Sequence, residues 1–283
     1  MTAPKAWSPG RVWIATADNF RPSRRYEAKA LNLRAKRAYH GAMIHVDIIS
    51  DTVCPWCYIG KRRFEQAVAL RPGIEIQVSW RPFQLNPDLP PAGLSRKDFL
   101  HAKFGGVERA DRVYEAVSAA GSEVGLEFNF ANIPHQPNTF DSHRLVRWSE
   151  TAGVQDAVME KLFLTYFMDE ADVGDQDVLV GVANDCGMDG DLVRNLFRQD
   201  ADRDLVMAEE GVARRMGING VPCFVVDHKF AISGAQEASV LTHVFDLAMQ
   251  DKDKIAGGTP QETVRNTAQE TDPETTEETV DAD

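Results

Sequence analysis

The chain of 283 residues is 43% hydrophobic and 26% charged, which marks a globular protein of one large domain or two small ones. No run approaches the roughly eighteen consecutive apolar residues of a membrane span, and a formal charge of −12 would repel nucleic-acid phosphates rather than neutralise them. Four cysteines are too few and too scattered for a disulfide-stapled secreted scaffold.

Charge is unevenly spread along the chain. Residues 1–42 carry nine Lys or Arg against two acids, and residues 251–283 carry three against ten. The basic segment lacks the apolar stretch of roughly 7–15 residues that a secretory signal needs, and reads as an extension ahead of the folded part. The acidic segment, rich in Thr and Glu and without a period, cannot bury enough surface to offset its ordering entropy and reads as a disordered tail.

Between these ends the elements follow in order. "MIHVDIIS", from Met43, is β-branched and reads as a buried strand. "PWCYIGKRRFEQAVAL" reads as a helix, with Tyr58, Ile59, Phe64, Val68 and Leu70 on one face. "RPG" breaks it, and "IEIQVSWRPF" alternates as a second strand. A strand–helix–strand unit implies a parallel pair with a right-handed crossover. From Ser95 to about Met216 the signal is almost all helix. Strands return at "PCFVVD" and "KFAIS", separated by the turn residues of "DHK", and "AQEASVLTHVFDLAMQ" closes as a helix.

Without the helical block, the order is β-α-β then β-β-α, the thioredoxin arrangement. The expected class is therefore α/β, a thioredoxin fold with a large inserted all-helical domain. Residues 43–90 and 217–250 form the two thioredoxin-like parts and 91–216 the insertion; 1–42 and 251–283 flank them.

The chemistry sits in "SDTVCPWCYIG". Thiolates rather than thiols attack disulfides, and a helix N-terminus favours negative charge. Pro55 suits the first helical turn, where its missing N–H costs nothing. The spacing puts Cys54 at the helix mouth, where it is expected to be exposed, and Cys57 one turn inside. That geometry suits a nucleophile and a resolving partner. It suits a metal poorly, because no second C-x-x-C or H-x-x-x-H completes four ligands. Trp56 reads as an exposed aromatic that offers a substrate an apolar platform. Asp51 precedes Cys54 by three residues, as a cap of the turn or a nearby proton acceptor.

"DTVCPWCYIGKRRFE", "WRPFQLNP", "PNTFDSHRL" and "GINGVPCFVVDHKFAISGAQ" together resemble the DsbA-like thioredoxin family, specifically its FrnE-type branch, over about Ile44 to Met249. The resemblance implies thiol–disulfide oxidoreductase activity on protein or small-molecule thiols and disulfides. It implies no bound cofactor, with glutathione a candidate co-substrate. It makes Val221–Pro222 the cis-proline loop facing the dithiol, with the backbone before Pro222 pairing with bound peptide. Pro55, Trp56, Val221 and Pro222 would then meet substrate.

Asn138, Thr139 and His143 match a family motif at a helix start. They read either as active-site lining or as a helix cap, with His143 a satisfied polar residue. Cys186 reads as a small buried hydrophobe. Cys223 faces the core by strand alternation if Pro222 faces the thiols; a third redox thiol is the competing reading.

Two other functions stand beside disulfide exchange. The first is a glutathione-dependent isomerase or transferase of small aromatic compounds, of the 2-hydroxychromene-2-carboxylate isomerase or kappa-class type. Those proteins resemble this chain in layout but carry serine where Cys54 stands. The second is a peptide-binding, chaperone-like module. Cysteine usage without an export signal points to the cytoplasm, where such pairs are transient and catalytic.

Overall fold

The β-branched run Met43–Ser50 forms β1 and sorts its side chains between two faces. Ile44, Val46 and Ile48 enter one apolar cluster and Ile49 another. The helix α1 (Pro55–Ala69) returns the chain to β2 (Glu75–Pro82), which lies parallel to β1 from Met43 beside Glu75 to Ser50 beside Pro82. Far along the chain, β5 (Cys223–Val226) pairs antiparallel with β1, and β6 (Phe230–Ser233) antiparallel with β5. The sheet order is β2-β1-β5-β6. This computed structural model describes residues 43–257; the basic extension and the tail beyond Gly257 lie outside the described residues.

The hairpin between β5 and β6 turns on Asp227 and His228, at φ 49° and 57°. Asp and His tolerate this left-handed region better than most residues. Across the sheet, α1 and the closing helix (Ala238–Gly257) cover the Ile44 face. Phe64 of α1 stacks on Phe224 with centroids 5.8 Å apart and meets Phe245 edge-on. On the opposite face, Ile49, Phe83, Cys223 and Val225 are closed by Ala213 and Ile218.

Seven helices lie between β2 and β5: α2 (Arg96–Phe104), α3 (Val107–Ser122), α4 (Phe140–Ala152), α5 (Gln155–Phe167), α6 (Gln176–Asp185), α7 (Gly190–Arg198) and α8 (Arg203–Arg215). The closing helix is thus α9. The expected α/β class with a helical insertion holds, with three amendments.

First, the insertion is not all-helical. The strands β3 (Leu94–Ser95) and β4 (His135–Gln136) pair antiparallel. Two residues per strand are too few to leave an alternating pattern. Second, Leu70 is 58% exposed at the end of α1, while Lys61 and Arg63 are buried instead. Third, α9 continues past residue 250, because its basic and acidic side chains still have partners there. Asp251 pairs with Lys229 at 2.6 Å, and Lys252 with Asp227 at 3.0 Å. No helix among the described residues is long and apolar enough to cross a membrane.

The buried charges of α1 fasten the insertion to the sheet. Lys61 is ion-paired to Glu65 and lies 3.0 Å from Glu160 and 3.3 Å from Asp156 of α5. Arg62 also grips Glu160, and the Tyr58 hydroxyl donates to it at 2.9 Å. Burial pushes the Glu160 carboxyl up, but Arg62, Lys61 and Tyr58 overcome this and hold it below the usual range.

Glu160→Gln should therefore cost about 2 kcal/mol, the scale of a charge-assisted hydrogen bond, or roughly 4–8 °C in melting temperature. The sign with pH follows from the depressed pKa: the contribution is present above the unfolded Glu value and is lost as pH falls through the folded one. Thermal melts at pH 7 and pH 3 should show the gap between wild type and Glu160→Gln narrowing in acid. An equal gap at both would contradict the charge network.

Candidate active site

The loop after β1 turns tightly, with the Cys54 N–H donating to the Asp51 carbonyl at 3.1 Å. Cys54 is the N-cap of α1, in extended backbone (φ −90°, ψ 113°), and Pro55 opens the helix. No side chain caps this end. Cys54 therefore stands at the mouth of the helix, where the spacing places it and where the dipole favours negative charge.

Across from it the Val221–Pro222 peptide is cis, and the Cys54 thiol lies 3.7 Å from the Val221 carbonyl oxygen, to which it donates. One turn inside, the Cys57 N–H bonds the Cys54 carbonyl at 3.0 Å. Burial and the adjacent Cys54 sulfur push the Cys57 thiol well up, against a smaller opposing pull from the Ser50 hydroxyl. Cys57 is thus the deeper-set sulfur, and its surroundings favour its thiol form.

Exposure differs from the sequence expectation. Cys54 keeps only 3% of its surface and Cys57 1%. Trp56 is half-buried and packs against the main apolar cluster rather than standing free. That burial comes from tertiary packing, which no local pattern encodes.

The motif "PNTFDSHRL" lies directly against this loop. Asn138 caps α4 by accepting the Phe140 N–H at 2.9 Å, and its amide donates to the Leu89 carbonyl at 2.8 Å. Thr139 is the N-cap by position and is buried, and its side chain makes no capping bond. Ser142 meets Thr52 at 2.7 Å, hydroxyl to hydroxyl. His143 places Nε2 3.4 Å from Oδ1 of Asp51, both side chains being almost wholly buried. The other Asp51 oxygen accepts the Leu85 N–H at 2.7 Å.

These residues hold the Cys54 loop from beneath. Asn138 alone of the three predicted there is half-exposed, and it lines a cavity of about 540 Å³ with Gln84, Leu89, Arg203 and Arg214.

Gly60 and Glu160 were not singled out from the sequence. A Cβ built on Gly60 would stand 2.9 Å from Cγ of Pro222 and 3.3 Å from the Phe224 ring. A glycine inside a helix costs about 1 kcal/mol relative to alanine, and that cost is the signal that could have found it.

Cys186 caps α6 and is half-buried rather than buried. Cys223 sits opposite Ile49, on the sheet face away from the dithiol, and is 4% exposed. Burial alone pushes its thiol up to about 12. Cys223 should stay unmodified by iodoacetamide at pH 8 while the protein is folded, and Cys223→Ala should leave turnover nearly unchanged. In the unfolded chain this thiol ionises from about 9, so its contribution to stability is lost as pH rises from there towards 12. Urea unfolding should show Cys223→Ala gaining on wild type by about 1.4 kcal/mol per pH unit in that window. Rapid native alkylation of Cys223 would overturn this placement.

Comparison with known proteins agrees with this geometry. The family model for the DSBA-like thioredoxin domain matches residues 45–246. The crystal structure of a probable DsbA oxidoreductase from Streptomyces coelicolor is 33% identical, covers 78% of this chain and 94% of its own, and superposes with a TM-score of 0.66. An uncharacterized protein of Bacillus subtilis, YwbO, is 24% identical over 216 residues, which is 75% of this chain and 98% of that protein. A 2-hydroxychromene-2-carboxylate isomerase shares the fold at 12% identity and a TM-score of 0.53, over 75% of this chain and 98% of its own. With a cis-proline loop facing a C-x-x-C on a four-stranded sheet, and a family model that spans both, this chain belongs to the DsbA-like thioredoxin domain family.

Proposed function

We propose that this chain is a thiol–disulfide oxidoreductase of the FrnE type that works through the Cys54–Cys57 dithiol on protein or small-molecule disulfides. One observation carries the reading. Cys54 stands at an uncapped helix N-terminus, 3.7 Å from the carbonyl that precedes a cis-proline, with Cys57 one turn behind it, its thiol pKa raised by burial.

The chemistry balances in two exchanges. Cys54, as the thiolate, attacks one sulfur of R–S–S–R′, forming the mixed disulfide Cys54–S–S–R and releasing R′S⁻. Cys57 then gives up its proton, which the departing thiolate or solvent takes, and its sulfur attacks Sγ of Cys54. This releases RS⁻ and leaves the Cys54–Cys57 bond, two electrons having passed from the dithiol to the substrate. Oxidation of a substrate dithiol is the same pair of steps in reverse.

A raised Cys57 pKa keeps that sulfur from attacking the substrate in place of Cys54. An extended peptide would pair with the backbone at Val221, as a strand adds to a sheet edge, with Pro55 and Trp56 beside it. Asp51, Ser142 and His143 fix the loop that aims Cys54. No bound cofactor is needed for either exchange, and glutathione would serve as co-substrate. The isomerase alternative gains nothing from this site, because a nucleophilic thiol with a resolving partner has no role in it.

Cys54→Ser should abolish insulin reduction, whereas Cys57→Ser should accumulate a mixed disulfide on Cys54. Mass spectrometry of each variant after exposure to a small disulfide reads this directly. Trapping on Cys57 instead would reverse the assignment, and no trapping in either variant would end it.

A further inference from the structure

Among the described residues four lysine or arginine side chains are buried: Lys61, Arg63, Arg96 and Arg144. Three have carboxylate partners, Lys61 at Glu160, Arg63 at Glu237 and Arg144 at Asp141. Arg96 has none. Its guanidinium donates to Gln136 at 2.7 Å and to the Tyr114 hydroxyl at 2.8 Å, both neutral, and its buried Nε has no partner. It also stands in the first turn of α2, where the helix dipole disfavours a cation. A buried cation held only by neutral groups keeps its full charge for whatever approaches.

Lys103, two turns on, shares the face. Both cations flank the Phe99 ring, Arg96 at 5.7 Å and Lys103 at 5.4 Å. Lys103 makes no ion pair among the described residues; its ammonium bends to Oδ1 of Asn86 at 2.6 Å. The neighbouring Leu85 bonds Asp51, whose carbonyl in turn holds the Cys54 N–H. Two hydrogen bonds and one peptide link therefore tie Lys103 to Asp51, and a third hydrogen bond reaches Cys54. Burial lowers the Lys103 ammonium's pKa, while Asp51 and Cys54 act on it in the opposite direction. The acid on α2, Asp98, is engaged with Ser95 at the far end of the helix.

We infer that Arg96 and Lys103 form a cationic seat beside Cys54 that selects low-molecular-weight disulfides bearing carboxylates, with Lys103 contacting the substrate and Arg96 holding the fixed charge behind it. In a chain of net charge −12, an anionic substrate is repelled at long range and needs such a local cation to dock. The inference rests on disulfide exchange at Cys54, but its first test does not.

The full-length reduced protein is alkylated with iodoacetate and, separately, with iodoacetamide, and the Cys54 peptide is quantified. Both reagents need the same thiolate, so their rate ratio reports only the attraction of the carboxylate. Lys103→Gln should lower the iodoacetate-to-iodoacetamide ratio by about threefold to fivefold, the scale of an exposed charge pair. Raising salt should erase that difference. Lys97→Gln, an exposed neighbour on α2, is the control for net charge and should leave the ratio unchanged.

A second arm compares glutathione disulfide with uncharged hydroxyethyl disulfide, where the same substitution should lower the preference for the former by a similar factor. An unchanged ratio in the first arm, or equal falls in both variants, overturns the seat. A fall in alkylation without one in the disulfide pair overturns the substrate class. If no disulfide reacts at all, the oxidoreductase reading fails while alkylation still reports the seat.

Discussion

The site depends on how closely the first turns of α1 approach the loop before β5. Gly60 makes that approach available, because any side chain there would meet Pro222 within 2.9 Å. With the helix seated on the proline, Cys54 at its N-terminus comes to 3.7 Å from the Val221 carbonyl. Pro222 and Phe224 then face the helix, and strand alternation sends Cys223 to the other side of the sheet. In the proposed exchange, this one close contact decides which cysteine would attack, which would resolve behind it and which would take no part.

The inserted helices act on this contact from two directions. From one side, Glu160 and Asp156 of α5 neutralise Lys61 and Arg62, so that α1 cannot tilt without stranding buried charge. From the other, Ser142 and His143 of α4 press on Thr52 and Asp51 in the loop that carries Cys54. The geometry around Cys54 is thus shared between two regions far apart in the chain. Rigid support of this kind is what a nucleophile needs if its sulfur is to meet a disulfide in line.

Much of this was legible in the sequence, and the reasons differ by feature. The four long-patterned elements around the dithiol (β1, α1, β2 and α9) carry the periodicities that burial on one or both faces imposes. Pro55 after Cys54 marked the helix start, and the family resemblance implied that the Pro222 loop faces it. What stayed hidden came from tertiary partners. Lys61 and Arg63 look like a solvated stripe until the acids of α5, and Glu123 and Glu237, are brought to them. The 3% exposure of Cys54 arises from tertiary packing, which leaves no local trace. The β3–β4 pair is too short for a period, and the absence of a carboxylate beside Arg96 is a property of space rather than of spacing.

The central claim is that exchange runs through one pair of sulfurs and that the other two thiols stand apart from it. Peptide mapping of the fully oxidised protein, digested without reductant, tests this most directly. The geometry predicts one disulfide, Cys54 to Cys57, with Cys186 and Cys223 recovered as free thiols. A bond from either active-site cysteine to Cys223, or an oxidised protein with no internal bond at all, would contradict it.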